Sequence, residues 1–113
     1  MNRLVKTLIY GGEMSLCVLD TTDLVNDAIQ IHKLSPLSAA ALGRALTAAA
    51  FMCSGLKNEG DKLSVNIVGD GVGGTITVSG NSALDLRGTI ENPRAELPLR
   101  ADGKLDVGGC VGR

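Results

Sequence analysis

The stretch Gly69-Asp70-Gly71-Val72-Gly73-Gly74 satisfies G-x-G-x-x-G directly after a strand-like run, the spacing with which backbone N–H groups cradle a pyrophosphate. A dinucleotide site needs that turn to open a helix, whose N-terminal N–H groups and dipole hold the phosphates. Here Thr75-Ile76-Thr77-Val78 follows, a strand by composition, so the glycines read as a hairpin loop. Gly69 and Gly74 also have the outer spacing of a P-loop, but Thr75-Ile76 stands where Lys and Ser or Thr are required. A small nucleotide-binding enzyme using the Gly69–Gly74 loop is the alternative that the structure has to test.

Other reactive residues are sparse. His32 is the single histidine and falls at the end of a helical segment, where partial positive charge suits the dipole; no nucleophile or orienting acid accompanies it in sequence. Cys17, Cys53 and Cys110 are far apart, odd in number and never form C-x-x-C, which indicates neither a disulfide scaffold nor a sequence-local zinc site. Cys53 lies on an apolar stripe and reads as a core thiol, with Cys17 similar, and Cys110 has no basic neighbour before Arg113 to lower its pKa. Asp20, Asp23 and Asp27 cluster, yet Asp20 and Asp23 suit a helix start better than a metal. No residue is therefore assigned a catalytic, cofactor-binding or metal-binding role.

The elements that carry these residues give an α+β fold. Leu4–Tyr10 and Met14–Leu19 form an N-terminal hairpin across Gly11-Gly12-Glu13. A first helix runs from about Thr22 to His32, with Val25, Ala28, Ile29 and His32 on one face. Ser35 caps and Pro36 opens a second, Ala-rich helix reaching to about Leu56, in which Leu42, Ala45, Leu46, Ala49, Met52, Cys53 and Leu56 form the core stripe. The period then changes to two: Leu63–Val68, Thr75–Ser79 and Leu84–Ile90 make an antiparallel meander packed on the helices. Glu91–Pro98 is an irregular crossing, leading to a terminal strand around Leu105–Val107 and a Gly108-Gly109 bend.

At 113 residues the chain is one small domain, and 44% hydrophobic with 20% charged residues is an ordinary globular balance. A net charge of -1 and only Tyr10 and Phe51 as aromatics provide neither the field nor the stacking platform for nucleic acid. The N-terminus has no signal-peptide pattern, and the one long apolar segment, interrupted by Arg44, reads as a buried core helix rather than a membrane span. The residues thus point to a binding or interaction module of a reducing cytosol.

Several phrases in order, LDTTDLVNDAIQIHKLSPLSAAALGRALTAAAFM, LSVNIVGDGVGGTITVSG, RGTIENP, ELPL and GKLDVGG, resemble the N-terminal domain of the Hsp33 family over nearly the whole chain. The resemblance implies a cytoplasmic, ATP-independent, redox-regulated chaperone of the stress response. Such a holdase binds unfolding proteins and is switched by a zinc module. There, four cysteines in a C-x-C and a C-x-x-C pair bind zinc as thiolates and form two disulfides when oxidised. Cys17, Cys53 and Cys110 match none of the four, so zinc is expected in the full-length protein and no cofactor in these residues. On this resemblance residues 1–113 are an incomplete N-terminal core domain, with linker and zinc module beyond Arg113. Such a piece supplies part of the client-binding and dimerisation scaffold, and no client-contacting residue is assigned. A terminal strand with unpaired backbone groups would favour homodimeric or domain-swapped association.

Overall fold

The computed structural model describes residues 2–12 and 14–112. Its organising element is a helix over Pro36–Ser54, numbered α2 below. Ser35 is extended, its hydroxyl accepts from the Ser38 N–H at 3.2 Å, and Pro36 fills the first helical position, where a missing N–H costs nothing. The same hydroxyl donates to the carbonyl of Ala95 at 2.6 Å. The Ser35 N–H donates to the Pro93 carbonyl, and Ser38 Oγ to that of Asn92. One cap therefore starts the helix and pins the irregular crossing segment across it.

Before α2 come β1 (Asn2–Ile9), a 3-10 turn (Tyr10–Gly12), β2 (Met14–Thr21) and α1 (Thr22–His32). After it come β3 (Lys62–Ile67), β4 (Ile76–Asn81), β5 (Arg87–Ile90) and α3 (Val107–Val111). The two sheets are separate: an antiparallel β1-β2 hairpin and an antiparallel β3-β4-β5 meander. The expected mixed α+β architecture is thus observed. Glu13, in the expected hairpin loop, and Arg113 lie outside the described residues.

The sheet covers one side of α2. Leu42, Leu46 and Ala49 pack in one cluster with Ile76 and Val78 of β4 and Ile90 of β5. β4 is central, with Val78 opposite both Val65 and Gly88, so alternate residues of three strands face the helix. Gly88 permits this closeness. A Cβ there would lie 2.9 Å from Leu46 Cδ2 and 3.0 Å from Leu42 Cδ1.

The other side of α2 is partly covered too, which the stripe did not anticipate. Gly43 is buried because α1 crosses there, and a Cβ on it would meet Val25 Cγ1 at 3.1 Å. Thr47 bonds the Thr21 hydroxyl at the end of β2 at 2.8 Å. Leu37, Ser38, Ala41 and Ala50 are buried outside the stripe, whereas Met52 is 41% exposed and Leu56 only half-buried. Those last two lie where the helix runs out from between its neighbours. Arg44 stays exposed.

Two other expectations are corrected. The third meander strand does not begin at Leu84: Asn81 Oδ1 accepts from the N–H groups of Ala83 and Asp85, winding the chain into a turn, and Leu84 has φ 64°. The strand starts at Arg87. The terminal strand around Leu105–Val107 is absent, and Gly108-Gly109 is no bend, because α3 occupies Val107–Val111. The Asp106 carboxylate accepts from the Gly109 N–H at 2.9 Å, and the Cys110 N–H bonds the Asp106 carbonyl. A side-chain cap turned an alternating pattern into a helix, and the strand edge expected to drive association goes with it.

Replacing Ser35 by Ala removes the cap and strands the Ala95 carbonyl. We expect a loss of about 2 kcal/mol from these combined effects, read as a lower urea midpoint at unchanged m-value.

Candidate functional site

The Gly69–Gly74 motif forms the β3–β4 connection and opens no helix. Three of its N–H groups are already engaged: Gly71 donates to the carbonyl of Val111 at 3.1 Å, Gly73 to that of Cys110 at 2.9 Å, and Gly74 to that of Gly71 at 3.2 Å. The next donor, the Thr75 N–H, bonds Glu91 Oε1 at 3.0 Å, which adds a carboxylate where an anion would have to sit. The glycines are needed for close approach. A Cβ on Gly71 would strike the carbonyl oxygens of Gly109 and Cys110, and one on Gly73 would lie 2.6 Å from Cys110 Sγ. The loop is a cradle for the C-terminal end of α3, and it offers no phosphate site. The small residues at 108, 109 and 112 were the sequence signal for that partner, but nothing local linked them to the loop.

The remaining candidates are scattered over separate elements. His32 ends α1, half-buried, in a groove of about 530 Å³ shared with Val72, Asn92, Pro93, Arg94 and Ala95, none of them a nucleophile. Lys33 follows as a left-handed cap, its N–H bonded to the Ile29 carbonyl. Asp20 acts at the start of α1 as expected: its carboxylate accepts from the Thr22 N–H at 3.0 Å and from Thr22 Oγ1 at 2.6 Å. Those bonds, the side-chain one first, hold its pKa below the ordinary carboxylate value. Asp23 lies in the first turn of α1, where negative charge suits the dipole.

Cys17 is half-buried on β2, Cys53 buried at the end of α2 and Cys110 buried in α3. Burial raises the Cys53 thiol pKa. It also raises that of Cys110, where the Asp106 charge adds to the effect and the Gly73 N–H opposes it. Among the described residues no three of His, Cys, Asp and Glu come together in a way that could hold a metal. The residues present therefore do not fit the zinc that the family resemblance implies.

The structure does expose a continuous apolar surface. In the hairpin register Val5 faces Val18 and Thr7 faces Leu16, so these share one side with Met14. Val5, Leu16, Met14 and Val18 are 44 to 56% exposed. The opposite side carries half-buried Leu4, Cys17 and Leu19, facing the body of the protein. Lys6 Nζ anchors that side to the Ser54 carbonyl at 2.8 Å. Beside the hairpin an open groove of about 620 Å³ runs between α1 and α2, lined by Leu19, Val25, Ala40, Ala48 and Phe51 among others. The surface suits contact with another chain.

Fold and surface together define an α+β protein in which an apolar helix is held between a standing hairpin and a three-stranded sheet. The family model described as Hsp33 protein matches residues 2–113, and the chain belongs to the Hsp33 family. It is 42% identical over 112 residues to a 33 kDa chaperonin of Clostridium acetobutylicum, a match covering 99% of this chain and 38% of that relative. A 33 kDa chaperonin of Thermus thermophilus is 41% identical over 113 residues, with 33% of its length covered. Among solved structures, the crystal structure of the 33 kDa chaperonin (heat shock protein 33 homologue) from Thermotoga maritima superposes with a TM-score of 0.87 at 31% identity. That match covers 95% of this chain and 37% of the other. The chain thus spans well under half the length of the relatives it matches.

Two measurements check this site. Titrating ATP or NAD should leave the melting temperature unchanged, and a mass-action rise would restore the nucleotide reading. The raised thiol pKa values make the second prediction one of alkaline sensitivity. A thiol whose folded value exceeds its unfolded value contributes fully below the ordinary value of 9.0 and loses that contribution as pH climbs through the raised folded value. The urea midpoint should therefore fall above about pH 9, and the double variant C53A/C110A should fall less steeply.

Proposed function

We propose that this chain is part of an ATP-independent, redox-regulated holdase of the cytoplasm that captures unfolding proteins under oxidative stress and keeps them from aggregating. The observation that carries this reading is the Hsp33 family match over residues 2–113. The physical chemistry supports holding over catalysis. A holdase needs apolar surface on a stable support, and the outer side of the β1-β2 hairpin is such a surface. These residues would serve as core scaffold and as part of the client-binding and dimerisation surface. Redox regulation and zinc are assigned to the family's four-cysteine module, which Cys17, Cys53 and Cys110 do not supply.

Helix α2 is long and apolar enough to cross a membrane by length and composition, but 56% of that window is buried inside the fold. That burial supports a core role for it. The partners proposed on the family reading are unfolded client chains and a second copy, with nucleic acid and membrane left out.

The test uses the full-length protein in a citrate synthase aggregation assay, with and without peroxide. Peroxide-treated protein should suppress light scattering, and no suppression under either condition would overturn the holdase reading. Val18→Asp should weaken capture roughly tenfold, the equivalent of one lost apolar anchor of about 1.5 kcal/mol, with circular dichroism unchanged.

A further inference from the structure

We propose that α3 is a releasable strap, which lifts off the Gly69–Gly74 loop while the loop and the α2–sheet core stay closed. At five residues α3 is far too short to persist alone, so its helical state is set by what it docks against. Its attachments converge. The Asp106 carboxylate holds the first turn, the Gly71 and Gly73 N–H groups hold the carbonyls of Val111 and Cys110 at the other end, and the Cys110 side chain is fully buried between. Val107 and Val111 on either side are only partly buried.

The loop is tied down from its far side as well. Asn92 donates its N–H to the Gly73 carbonyl at 3.0 Å and its side-chain amide to the Val72 carbonyl at 2.7 Å. Asn92 is held in turn by Ser38 of α2. The loop keeps its own anchor on the core, so the boundaries that can part are those α3 makes with the loop and with α2, on which it also packs. Parting there uncovers an apolar seat. Ile90 Cδ1 lies 3.2 Å from a Cβ built on Gly73, and Leu97 Cδ1 lies 3.0 Å from one built on Gly109, so both flank the place Cys110 vacates. The strap is thus a conformational device that covers and uncovers apolar surface without disturbing the helix and sheet beneath. It stands on this geometry, independently of the chaperone reading.

Two readouts on the full chain test it: hydrogen exchange by mass spectrometry, and peptide-resolved alkylation under native conditions. Peptides covering residues 69–75 and 105–112 should exchange together and faster than those of α2. Cys110 should alkylate faster than Cys53. Gly73→Ala, which forces a methyl group onto Cys110 Sγ, should speed Cys110 alkylation roughly tenfold and leave Cys53 unchanged. Asp106→Ala releases the other end of α3 without touching the loop and should act in the same direction, so it decides alone if the glycine variant does not fold. Equal alkylation rates for Cys53 and Cys110 in wild type and in the folded variants would overturn the strap, because α3 would then open only with the whole domain.

Discussion

The structure depends on covering most of one apolar helix from two sides. Pro36–Ser54 is 19 residues of mostly Ala and Leu, and in water such a helix must lose its surface to something. The meander takes one side through Ile76, Val78 and Ile90. On the other side the fit is made by smallness and by matched polar pairs: Gly43 beneath Val25, Thr47 on Thr21, Ser38 on the Asn92 carbonyl. Each polar group on α2 that goes under cover finds a partner, which is the condition for burying it without a desolvation penalty. Ser35 sits at the head of this arrangement, since one hydroxyl both starts the helix and fixes the segment that crosses it.

The same logic explains why a sequence with a phosphate-binding signature binds its own backbone. Glycines let N–H groups of a loop converge on an acceptor, and nothing in that geometry specifies a phosphate over a carbonyl. Here the acceptors are the last carbonyls of α3. The close fit needs small residues on both sides, and they are present on both. What would discriminate the two outcomes is the element after the loop: a helix would aim a dipole at the anion, and β4 does not.

Hsp33 membership gives the exposed hairpin a context. The two β1-β2 strands half-bury Leu4, Cys17 and Leu19 against the body and leave the other apolar side in solvent, an arrangement an isolated monomeric domain ordinarily avoids. Among the described residues no three of His, Cys, Asp and Glu come together in a way that could hold a metal, whereas apolar surface is exposed on the hairpin.

Much was legible in the sequence because it is local. Ser35-Pro36 marks the start of α2, alternation marks the strands, and the first helix begins and ends at Thr22 and His32 as its pattern indicates. The α+β architecture and the family resemblance follow from such signals taken in order. Two local features were misread all the same. Leu84 was read as strand although Asn81 folds that stretch into a turn, and Leu105–Val107 was read as strand although Asp106 caps a helix. In both a side-chain carbonyl or carboxylate captured nearby N–H groups, and an alternating pattern cannot report that competition. The role of the glycine motif lay further out of reach. Its partner is about forty residues away in sequence, and only the folding of the crossing segment over α2 brings Cys110 to Gly73. The sequence by itself determined the hairpin, the two long helices, most of the meander and part of the core stripe, because hydrophobic period and caps act within a few residues. Which N–H groups were spent, which face of α2 was free and which apolar surface stayed in water were decided only by tertiary packing, because each depends on residues far apart in the chain.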